Sequence, residues 1–70
     1  MLLNLDIPLK RATLHNQFCS FVPKPVGTKL KPLGRMGEDG GWFTVTSEDE
    51  ADDTRRAYLP QANLVRCPRC

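Results

Sequence analysis

Glycine and proline cut this chain into short apolar runs, and that punctuation limits what it can fold into. PKPVG, residues 23–27, sets two prolines and a glycine within five positions, which stops any regular element. GRMGEDGG, residues 34–41, holds four glycines and an Asp-Gly pair between two apolar runs and predicts a hairpin connection. In MLLNLDIP, Leu3, Leu5 and Ile7 alternate with Asn4 and Asp6 until Pro8 intervenes. A period of two predicts an extended segment, read here as an N-terminal arm over residues 1–12. Residues 13–22 show neither helical nor strand periodicity cleanly; they are read as a strand, with a helical turn over 9–16 as the alternative. Phe18, Phe21 and Val22 are its core candidates.

Further along, TKLKPL suits a half-exposed strand, with Leu30 on one face and Lys29 and Lys31 on the other. WFTVT is a β-branched and aromatic strand. SEDEADDT, residues 47–54, has five acidic side chains in eight; their mutual repulsion predicts a solvated loop. RRAYLP and ANLVR then read as two short strands, or a strand and a 3₁₀ turn, divided by Pro60. Short strands between turn signals predict a mainly β domain over residues 13–66, with CPRC as a tail over 67–70.

A chain of 70 residues buries only about 60% of its unfolded surface, so its core is marginal and gains from a metal, disulfides or a partner. No apolar run approaches the roughly 20 residues of a membrane span. The start lacks a basic region and carries Asp6, unlike a secretory signal, so the expected compartment is the cytoplasm, a host cell's if the protein is phage-encoded. Net charge is only +2, but its distribution is polarised. Bases dominate residues 1–36, acids fill 37–54 without a single base, and arginines return at 55–70.

From Val26 onward the order of features resembles an SH3 domain. GTKLKPL corresponds to a strand, GRMGEDGG to the following loop, and WFTVT to the strand that opens on tryptophan. SEDEADDT would be the distal loop, RRAYLP the fourth strand, QAN the 3₁₀ turn and LVR the closing strand. The resemblance implies a small SH3-like barrel of about five short strands. The pattern departs at Ala57, where the family has glycine, and at Leu64, where it has tyrosine; one extra residue lies between Pro60 and Leu64. The family's N-terminal Ala-Leu-Tyr-Asp-Tyr motif is absent. The resemblance therefore carries the barrel and not the proline-peptide pocket.

Cys67-Pro68-Arg69-Cys70 has the C-x₂-C spacing by which two thiolates share a tetrahedral zinc. It also resembles the knuckles of small zinc-binding phage regulators. His15 and Cys19 would complete a Cys₃His set, since neighbouring first and last strands would bring Cys19 to Cys67. If 15–19 is extended, however, His15 and Cys19 stand about 13 Å apart; only a turn joins them. The expectation is no cofactor, with Cys19 as a small buried residue, and zinc is the alternative. A redox role for the pair lacks the βαβ context of thioredoxin-like motifs.

On a strand, Trp42 and Phe43 face opposite ways. Phe43 and Val45 are expected inside, leaving Trp42 with Tyr58 as an aromatic patch flanked by Arg55 and Arg56. Glu48, Asp49, Glu50, Asp52 and Asp53 would steer a basic partner surface towards it. One histidine and no phosphate-binding glycine loop argue against catalysis. The expected function is non-catalytic: a regulator that docks on a larger protein complex, in the style of phage or mobile-element proteins that inhibit or redirect host transcription or defence. Two alternatives stand beside it: a nucleic-acid-binding module using Lys29, Lys31 and Arg35, and a small phage structural protein.

Overall fold

The computed structural model describes residues 1–16, 18–22 and 26–69. Four strands and a helix follow one another as β1 (Leu2–Asp6), β2 (Arg11–His15), β3 (Gly40–Thr44), α1 (Glu48–Tyr58) and β4 (Asn63–Arg66). They form one mixed sheet in the order β3-β1-β2-β4. The alternation read in MLLNLDIP is real, but the segment is no peripheral arm: β1 pairs antiparallel with both β2 and β3 at the centre of the sheet. A tight turn over residues 7–10 joins β1 to β2, with the Lys10 amide donating to the Ile7 carbonyl at 3.2 Å and the Leu9 amide to Asp6 Oδ1 at 3.1 Å.

Strands β2 and β4 pair in parallel, which needs a long crossover. Helix α1 supplies it, carrying the chain from the β3 edge across one face of the sheet to the β4 edge. On that face Leu3, Leu5, Ala12 and Leu14 are buried with Val45, Ala51, Leu59 and Ala62. The acidic run is thus the beginning of a helix and not a loop. Ser47 accepts from the Glu50 amide at 3.1 Å, while Glu50 Oε2 accepts from the Thr46 amide at 3.0 Å and from its hydroxyl. Those two bonds from Thr46 hold the Glu50 carboxyl below its ordinary pKa. Negative side chains in the first turn and Arg55 and Arg56 in the last also suit the helix dipole.

The sheet is not closed into a barrel. Of RRAYLP, expected as a strand, residues 55–58 complete α1 and Leu59 caps it, and TKLKPL contributes no strand, only an isolated bridge from Leu33 to Trp42. Segment 28–39 instead folds along the outer edge of β3, where the Trp42 amide donates to the Pro32 carbonyl at 2.9 Å and the Gly34 amide to the Trp42 carbonyl at 2.7 Å. Gly40 requires its lack of a side chain: its φ is +129°, and a Cβ there would run into the Leu5 carbonyl of β1. The second face of the sheet carries Leu2, Trp42 and His15, closed over by Cys19, Val22 and Val26. Among the described residues no helix is long and apolar enough to cross a membrane.

Candidate metal centre

His15 is the last residue of β2. Leu14 pairs with Arg66 in the parallel ladder, and the ladder runs one step further as the Cys67 amide donates to the Leu14 carbonyl at 2.9 Å. Cys67 is thereby fixed beside the end of β2. Beyond His15 the chain turns instead of extending: the Cys19 amide donates to the Asn16 carbonyl at 3.0 Å, and the Val22 amide to the Cys19 carbonyl at 3.1 Å. The turn removes the objection that an extended 15–19 segment would keep His15 and Cys19 apart. One ligand-type atom from each of His15, Cys19 and Cys67 lies within 4.8 Å of the others.

The sulfurs of Cys19 and Cys67 are 3.9 Å apart, far beyond a covalent S–S bond of about 2.05 Å. Two thiolates about 2.3 Å from one tetrahedral zinc stand about 3.8 Å from each other, so the observed separation is that of neighbouring zinc ligands. Cys19 is disulfide-bonded in this structure, and Cys67 is the free cysteine among the described residues. His15 is buried, and loss of water around the imidazole lowers its pKa, favouring the neutral form that binds metals. Its ring packs on Trp42 with centroids 5.7 Å apart. An open cleft lined by Leu14, His15, Asn16, Arg66 and Cys67 gives solvent a route to the cluster. Cys70, the remaining ligand candidate, lies outside the described residues.

The aromatic patch expected around Trp42 does not form. Trp42 is 5% exposed, because its strand face is the one covered by the loop after β2, and Phe43 is the partly exposed member of the pair. Tyr58 is half exposed and stacks on Phe43 at 5.0 Å. Arg55 does not flank it as a free cation: it bonds Asp52 and donates to the carbonyls of Pro60 and Ala62 at 3.1 and 2.9 Å, tying α1 to the turn that leads into β4. Arg56 pairs with Asp52 and Asp53, and Glu48 with Arg66. Glu50 is engaged in the cap, which leaves Asp49 as the acidic residue of the run without a side-chain hydrogen bond or ion pair among the described residues. The Arg55 contact also lowers the pKa of Asp52.

Of the basic set, Lys31 bonds Asp6 at 3.4 Å and lies over the Trp42 ring, while Lys29 and Arg35 are exposed. The residues that sequence reasoning placed inside and the structure places outside are Phe18 and Phe21, at 83% and 55% exposure. They bracket Cys19 on the turn, and Arg69 lies 5.8 Å above the Phe21 ring. No known protein family, curated protein sequence or solved structure matches the chain.

Proposed function

We propose that this chain is a non-catalytic protein-binding domain that engages a larger partner through the aromatic side chains of its 16–22 turn. The observation that supports the reading is Phe18, a large apolar side chain left 83% exposed. Burying such a ring against a partner is worth about 1.5–3 kcal/mol, and aromatic anchors with nearby arginine dominate the energetics of protein interfaces. Phe21, with Arg69 above its ring, extends the same surface. The acidic helix fits this role less well than expected from sequence, since most of its carboxylates are engaged within the molecule. A nucleic-acid surface is weakened in the same way by the Lys31–Asp6 ion pair.

The test is a comparison of captured proteins between the wild-type chain and a Phe18→Ala variant, followed by titration with each purified protein that only the wild type retains. Phe18→Ala should weaken that complex by about 30-fold, equivalent to about 2 kcal/mol, while Tyr58→Ala leaves it within a few-fold. Equal affinity of wild type and Phe18→Ala for every retained protein would overturn the reading.

A further inference from the structure

We propose that the reduced chain binds one zinc ion through His15, Cys19 and Cys67, a site that pins the turn after β2 to the end of β4. Two features of the fold converge on it, and a distance follows from them. The parallel β2–β4 ladder continues to Cys67 through its bond to Leu14, the backbone turn returns Cys19 towards His15, and the two sulfurs already stand at the spacing of zinc ligands. The donor set has the nitrogen and sulfur chemistry that zinc selects. Cys19 and Cys67 are 48 residues apart in the chain, so an ion between them joins the β2 turn to the C-terminal strand. The spacing of Cys70 makes it the candidate for the fourth position, and its mutation is part of the test.

A disulfide and a thiolate–metal bond are alternative states of the Cys19 sulfur, selected by the redox conditions. A dithiol reductant breaks the S–S bond, leaving two thiols and closing to a disulfide itself. Zinc then displaces the thiol protons, since the bound ligand is the thiolate. The inference does not rest on the proposed partner surface: Phe18→Ala should bind zinc normally, so failure of one reading is distinguishable from failure of the other.

The experiment uses the full chain, purified in dithiol reductant without chelator and weighed under native conditions. One zinc per chain is expected, with zinc lost in Cys19→Ser and Cys67→Ser and weakened in Cys70→Ser. Because losing a ligand can itself unfold so small a domain, the wild-type chain is also stripped and titrated with cobalt. Trp42 is the sole tryptophan and packs on His15, so cobalt should quench its fluorescence, saturate at one equivalent and produce thiolate-to-cobalt absorption. Zinc should reverse both signals. A chain that stays metal-free in reductant with added zinc, or one that shows neither quenching nor thiolate absorption with cobalt, would overturn the proposal. So would a mass lowered by a pair of hydrogens that reductant and zinc together leave unchanged.

Discussion

Trp42 lies against the His15 ring and beneath the Lys31 ammonium, on the sheet face that Cys19 and Val22 close over. Truncating such a side chain removes its buried surface and leaves a cavity, at a cost of about 3–5 kcal/mol. Small domains have total stabilities near the lower end of roughly 5–15 kcal/mol, so Trp42→Ala should largely unfold the chain. Urea denaturation followed by far-ultraviolet circular dichroism checks this, and an unchanged midpoint would contradict the burial of Trp42. The residue was hard to place from sequence because a strand fixes only that Trp42 and Phe43 face opposite sides. Which side is covered depends on the loop after β2, whose exposed Phe18 and Phe21 give no apolar period to follow.

The elements divide by how local their signals are. Strand β1 is legible in the alternation of Leu3 and Leu5, β3 in WFTVT and β4 in ANLVR, since each pattern lies within a few residues. Helix α1 was hidden by its composition: Ala51 is its one buried residue, so an apolar stripe of helical period is missing. The signal that would have found it is the capping box Ser47-Glu48-Asp49-Glu50, an S-x-x-E sequence with acids at the start and Arg55 and Arg56 at the end. Once that segment is helical, the expected fourth strand disappears and the sheet remains open. At the start of β3, Gly40 combines a positive φ with close approach to the Leu5 carbonyl. Gly40→Ala should therefore cost at least about 2 kcal/mol, from backbone strain and displacement of β1 together. A melting temperature within a degree or so of wild type would show that β1 and β3 do not meet as described.

For the whole molecule, the question is what stabilises a fold whose largest fully buried side chains are Leu3, Leu5 and Val45. A ligand present at 100 times its dissociation constant adds about 2.7 kcal/mol to stability, and each kcal/mol moves the melting temperature of a domain this size by about 4–8 °C. Removing zinc from the reduced chain with a chelator should therefore lower the melting temperature by at least about 10 °C. An unchanged melting temperature would mean that the ion is absent or bound elsewhere. The ligand types at this site were visible in sequence as His15, Cys19 and the C-x₂-C pair; the turn at 16–19 and the parallel β2–β4 ladder that bring His15, Cys19 and Cys67 together were not. The ladder pairs residues about 50 apart, which no local pattern encodes, and the turn is a local bond from the Cys19 amide to the Asn16 carbonyl in a stretch with no glycine or proline to mark it.

The most direct measurement is X-ray absorption at the zinc edge of the reduced, zinc-loaded chain. The predicted spectrum has a four-coordinate shell with sulfur at about 2.3 Å and a histidine nitrogen at about 2.0–2.1 Å. A shell of oxygen and nitrogen alone, or a chain that retains no zinc after desalting, would contradict a metal centre built from His15, Cys19 and Cys67.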